Sequence, residues 1–191
     1  MYDFASSHFI LNMSKIVIYQ AFPRYFGNTK SNPVSDGSID QNGCGKFNDF
    51  TLKALQSIRD LGITHVWFTG VLEHATKTDY SAYGIETDHP AVVKGKAGSP
   101  YAIKDYYDVD PDLAVNVKER MTEFEALIAR THKAGLKVLI DFVPNHLARN
   151  YRSVTKPPHV NELVKKTIHR LLLRQTTTFI ICPANRWICN F

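Results

Sequence analysis

Asp141, Asn145 and His146 fall in "KVLIDFVPNHLARNY", residues 137–151, where an apolar, β-branched run ends in a carboxylate, a proline, an amide and an imidazole. A carboxylate can move a proton or hold a cation, an amide oxygen can ligate a hard cation, and an imidazole can hydrogen-bond or protonate a ligand. In parallel α/β folds the loops at the carboxyl ends of strands build the site, so these three residues stand where chemistry is expected. A structural alternative stays open: Asp141 could hold only the loop backbone, with Asn145 and His146 as turn residues.

Other chemistries are poorly represented. No glycine-rich phosphate loop and no G-x-S-x-G elbow appears, and His74 and His89 lack zinc-ligand spacing. The stretch "DYYDVDPDLA" carries Asp108, Asp110 and Asp112, with Glu119 at the twelfth place of a calcium-loop pattern. Leu113 stands where that loop needs glycine and Pro111 stiffens it, so the stretch reads as a solvated turn. Tyr80, Tyr83, Tyr101, Tyr106 and Tyr107 supply flat faces with polar tips, suited to sugar stacking and equally to packing a loop on a core.

The elements that must position these residues are legible in part. "KIVIYQAFPRYF" (15–26) reads as a buried strand closed by Pro23, and residues 27–48 as a polar loop. Leu52, Leu55, Ile58 and Leu61 mark a helix face stopped by Gly62. "ITHVWFTGVL" (63–72) is a second strand. Residues 122–135 read as a helix opened by a Thr122–Glu125 capping box, with Phe124, Leu127, Ile128 and Ala134 facing inward and Gly135 ending it. "LKVLIDFV" is a third strand. Strand and helix in alternation predict an α/β fold with parallel strands and right-handed crossovers. Residues 73–117 are far longer than the ~2–6 residues of an ordinary connection and are expected to build part of a site.

Composition sets the limits. At 191 residues and 44% apolar content the chain can bury one ordinary core. Its net charge of +5 is localised: residues 1–150 hold 16 Lys/Arg against 17 Asp/Glu, whereas 151–191 hold 7 against 1. A basic tail without aromatics on a periodic face gives little ground for nucleic-acid or membrane binding. Cys44, Cys182 and Cys189 form neither a disulfide framework nor a zinc pattern. "MYDFASSHFILN" lacks a signal peptide's basic start and long apolar run, so residues 1–14 are expected to be an unstructured extension of a cytoplasmic chain, with Met13 an alternative start.

Taken in order, "IYQAFPRYFGN", "LGITHVWFTG", "SPYAIKDYYDVDP" and "DFVPNH" resemble the α-amylase family of glycoside hydrolases over about residues 15–152. The resemblance implies the N-terminal part of a (β/α)8 TIM barrel, about its first three βα units. Its activity would be retaining cleavage or transfer at α-glucosidic bonds, with an α-glucan or maltooligosaccharide as partner. It implies that Tyr101 stacks under the sugar whose bond is cleaved and that His146 hydrogen-bonds the same sugar. Asn145 would ligate a calcium ion whose site is incomplete on this chain, and Asp105 and Asp141 would be structural at strand ends. Where the family's second strand usually ends in proline, Gly70 stands here.

The family's two catalytic carboxyls follow its fourth and fifth strands, and a retaining pair must stand ~5–5.5 Å apart. No family-like motif follows "DFVPNH", so no catalytic residue is expected on this chain and activity is not expected of it alone. A non-catalytic oligosaccharide-binding module is the alternative. Residues 153–191 read as the start of a loop domain passing into an aberrant basic tail. Re-reading the codons after Leu163 in a shifted frame permits an acidic, Asn- and Tyr-rich stretch, which points to a frameshift near Leu163. Three barrel units alone would leave strands one and three with unpaired edges.

Overall fold

The computed structural model describes residues 15–160 and 179–181. In chain order come β1 (Ile18–Ala21), a single helical turn α1 (Ile39–Asn42), α2 (Leu52–Asp60), β2 (His65–Phe68), β3 (Leu72–His74), β4 (Ile103–Val109), α3 (Arg120–Lys133), β5 (Lys137–Asp141) and β6 (Phe179–Ile181). Strand β2 lies between β1 and β5, parallel to both, with Ile18 opposite His65 and His65 opposite Lys137. The α/β class and the three parallel strands in sequence order follow the alternation of periods two and 3.6 in the sequence.

The core forms where the two helices cover one face of this sheet. Leu55 and Ile58 of α2 and Phe124, Leu127 and Ile128 of α3 pack with Val66, Phe68, Leu136 and Val138. Phe50 bridges the layers, stacked on Phe26 at 3.9 Å between ring centroids and edge-on to Phe68 at 5.0 Å. Arg130 fixes α3 to the turn before α2 by donating to the Phe47 and Phe50 carbonyls at 2.7 and 3.2 Å.

Several local expectations are corrected. Strand β1 is not buried: Ile18 is 49% exposed, because β1 has a partner on one side only among the described residues. The run 63–72 is two strands, broken at Thr69–Gly70. Leu61 is solvent-exposed at the cap of α2. Helix α3 starts at Arg120, two residues before Thr122, and the capping box does not form. No side chain caps the helix; a 3-10 turn over Val117–Glu119 leads into it, and Glu123 reaches back to the loop before that turn, accepting from the Asn116 and Val115 amides at 2.7 and 2.9 Å.

The edge of the third parallel strand is also covered. Strand β6 pairs antiparallel with β5, Leu139 opposite Ile181 and Asp141 opposite Phe179. A short apolar segment supplies the backbone partners that this edge lacks. The rest of the tail, with the residues around the proposed frameshift, lies outside the described residues, as does the 1–14 extension. No helix among the described residues is long and apolar enough to cross a membrane.

Candidate functional site

Asp141 is the last residue of β5, and Trp67 on neighbouring β2 donates its indole N–H to Asp141 Oδ1. Burial lifts the Asp141 carboxyl above its ordinary range, while the indole and the Gly70 amide partly restore the charged form. The carboxylate is thus held inside the strand end by the adjacent strand. Gly70 follows β2 with φ +71, a value that proline, fixed near −65°, cannot take. A Cβ there would lie 2.6 Å from the Phe22 ring and 2.8 Å from Pro100. Glycine at this position redirects the chain into β3.

Beyond Asp141 the chain turns outward. Asn145 and His146 are both exposed, with His146 Nδ1 3.0 Å from Asn145 Oδ1. With Nδ1 donating to that oxygen, Nε2 is left as an acceptor facing solvent. Tyr101, 46% exposed, precedes β4, and no hydrogen bond or ring contact joins it to His146 among the described residues. The segment 148–155 then runs along β4. Ala148 and Arg152 donate to the Ile103 and Lys104 carbonyls at 2.8 and 3.0 Å, and the Tyr106 hydroxyl donates to the Val143 carbonyl. The third-strand exit and the long excursion after the second strand are therefore one packed unit.

Asp105 has no solvent exposure, and its two oxygens accept from the Tyr107 and Val154 amides at 2.8 and 3.0 Å. Burial raises its pKa and these amides oppose the rise. Of its two buried acidic neighbours, Glu73 escaped sequence reasoning and Asp108 was read there only as part of a solvated turn. One carboxylate oxygen each of Glu73, Asp105 and Asp108 lies within 4.8 Å of the other two. Burial first, then Asp108 and Asp105, push the Glu73 carboxyl up to about 8. The β3–β4 ladder explains the grouping. Between the Leu72–Val109 and Glu73–Asp105 pairs β3 advances one residue while β4 advances four, and this bulge turns Asp105 and Asp108 toward Glu73. Nothing in the local sequence announces such an irregularity.

The acidic stretch is not a solvated turn. Asp108, Asp110 and Asp112 are all buried. Arg120 grips Asp108 with two donors, and Arg24 Nη2 reaches Asp112 at 2.6 Å and Asp110 at 3.0 Å. Tyr80 donates to Asp112, and Lys46 donates to its carbonyl at 2.6 Å. Internal cations and a phenol fill the role that solvent was expected to play.

A family model described as "Alpha amylase, catalytic domain" matches residues 20–166, from inside β1 past the His146 turn. The chain belongs to the α-amylase family. Maltase A1 of Drosophila melanogaster is 30% identical over 138 residues, covering 72% of this chain and 18% of that protein. The amino acid transporter heavy chain SLC3A1 of Mus musculus is 30% identical over 129 residues, 68% of this chain and 14% of its own length. A crystal structure of an α-amylase from Lactobacillus plantarum is 28% identical, with a TM-score of 0.47 over 71% of this chain and 24% of that one. The chain spans less than a fifth of the length of these two curated relatives.

Within this α-amylase family chain, Asn145 offers one exposed amide oxygen already engaged with His146. Calcium takes six to eight oxygens, and the group of three acidic ligands among the described residues lies elsewhere. The residues present do not by themselves complete a calcium site at Asn145.

Proposed function

We propose that this chain carries the N-terminal rim of an α-glucoside site on the first three βα units of an α-amylase-type barrel. The observation that carries the reading is the family match across all three parallel strands and their exits, with His146 open to solvent at the third exit. The half-exposed Tyr101 ring suits stacking on a sugar face, and His146 Nε2 suits a sugar hydroxyl. Asp141 holds the end of β5 through Trp67, whereas Asp105 lies inside β4 rather than at its end and ties that strand to the Tyr107 and Val154 amides, so both read as structural. Asn145 would contribute one oxygen to a calcium ion whose other ligands come from outside these residues.

Retaining hydrolysis needs two carboxyls ~5–5.5 Å apart across the scissile bond. The chain alone is proposed to bind without cleaving, because the family's catalytic pair follows strands that these residues do not include. The likeness to maltase favours descent from an α-glucosidase-type enzyme, and the likeness to a transporter heavy chain keeps a non-catalytic binding role as the second reading. We read the basic tail as the product of a frameshift near Leu163. Downstream DNA encoding the family's later strands in another frame supports the frameshift, and early stop codons in every frame refute it.

Maltooligosaccharide titration followed by calorimetry, with product analysis, tests the proposal. Binding that weakens in Tyr101→Ala and His146→Ala, with no sugar released, supports it. Unchanged binding in both variants refutes the assignment of the rim.

A further inference from the structure

The buried group Glu73, Asp105 and Asp108 is a separate feature from the sugar rim. Three carboxylates meet one guanidinium there. Counting −3 from the acids and +1 from Arg120 leaves −2 in a place where the three acids are 0–2% exposed. Lys104 does not close the balance, since its ammonium is held by Asp88 at 3.0 Å and by the Glu86 carbonyl. Uncompensated charge of this size is costly in the interior.

The donor set is also unfinished. Asp108 Oδ1 is filled by the Val109 amide and Arg120 Nε, but Asp108 Oδ2 accepts only from Arg120 Nη2 and keeps a lone pair, and the two Asp105 oxygens accept one backbone amide each, from Tyr107 and Val154. Glu73 is 2% exposed and its Oε2 is buried with no hydrogen-bond partner. An orphaned carboxylate oxygen beside two other carboxylates is the donor arrangement that a hard cation satisfies.

We propose that Glu73, Asp105 and Asp108 form a binding site for one divalent cation of calcium's size, fastening the long excursion after the second strand to the start of α3 through Arg120. Calcium–oxygen distances of about 2.3–2.6 Å let two ligand oxygens stand up to about 5 Å apart, which spans the 4.8 Å group. One divalent ion brings the net charge from −2 to zero.

The test uses the full chain at neutral pH, with Ca2+ titrated against tyrosine-sensitised Tb3+ emission and thermal midpoints taken in Ca2+ and in EDTA. The site predicts a higher midpoint in Ca2+ and displacement of Tb3+ by Ca2+. It also predicts at least a tenfold loss of affinity in Glu73→Gln, with Asn145→Ala unchanged. Should Glu73→Gln fail to fold, amide exchange on the unsubstituted chain decides. Ca2+ must slow exchange across 103–109 and at Val154 more than across 39–42. Equal Ca2+ affinity in Glu73→Gln, loss of binding in Asn145→Ala, or no effect of Ca2+ on the unsubstituted chain overturns the site.

Discussion

Replacing Arg24 with methionine removes the only side-chain cation hydrogen-bonded to the carboxylates of Asp110 and Asp112 among the described residues, while filling similar volume. Arg24 is 14% exposed and its two partners 3% and 0%. Both acids would then be buried without a counter-charge, for which the cost is about 3–5 kcal/mol. His74 Nδ1, 3.9 Å from Asp110, and Lys46, bonded to the Asp112 carbonyl, soften the loss toward the lower figure. At a urea m-value of ~2 kcal/mol/M the midpoint should fall by about 1.5 M. A drop of ~3 kcal/mol leaves the chain folded if its stability lies in the usual range of ~5–15 kcal/mol. Tryptophan emission in urea supplies the assay. Arg24→Met combined with Asp110→Asn and Asp112→Asn should regain most of the loss. The amides keep an oxygen for the Asp112 amide and for Tyr80, and no charge remains to be paired. A fall of less than ~0.3 M in the single variant, or no recovery in the triple one, refutes the reasoning that buried charge balance holds β1's exit to β4's exit.

Asp141 should give the fold a measurable pH dependence. Its folded pKa is raised above 3.8, so the folded state keeps a proton that the unfolded chain has lost. Its stabilising contribution is therefore full below pH 3.8 and disappears as pH rises through the raised value. The difference in thermal midpoint between the unsubstituted chain and Asp141→Asn should show this slope, and Trp67 emission should titrate over the same range only while the carboxyl is present. A difference that is flat with pH contradicts the burial argument. Gly98→Ala should destabilise far more than Gly62→Ala. Both have φ above +80, at a cost of about 1–3 kcal/mol for a side chain, but only at Gly98 would the new Cβ lie 1.8 Å from a backbone oxygen, that of Ala75. Equal losses in thermal midpoint would show that the backbone has room to move.

Legibility in the sequence followed the range of the interactions. The three parallel strands and the faces of α2 and α3 were readable because burial of one face imposes a period, as at Leu55 and Ile58 or Phe124, Leu127 and Ile128. The start of α3 was misread because a 3-10 turn over Val117–Glu119 runs straight into the helix and begins it upstream of Thr122, which a capping-box pattern does not describe. Burial of the acidic stretch was hidden for a related reason: its counter-ions, Arg24 and Arg120, lie 86–88 and 12 residues away. At the candidate site, the exposed turn of Asn145 and His146 was legible from its residue types. Glu73 was not, since only a bulge in another strand brings Asp105 and Asp108 to it.

The most direct measurement of the central claim is maltooligosaccharide binding by the full 191-residue chain, followed by calorimetry while the same solution is analysed for released sugar. Saturable binding that depends on Tyr101 and His146, with no new reducing ends, is the predicted result. Absence of binding would contradict the proposed rim, and release of sugar would contradict the proposal that the catalytic pair lies outside this chain.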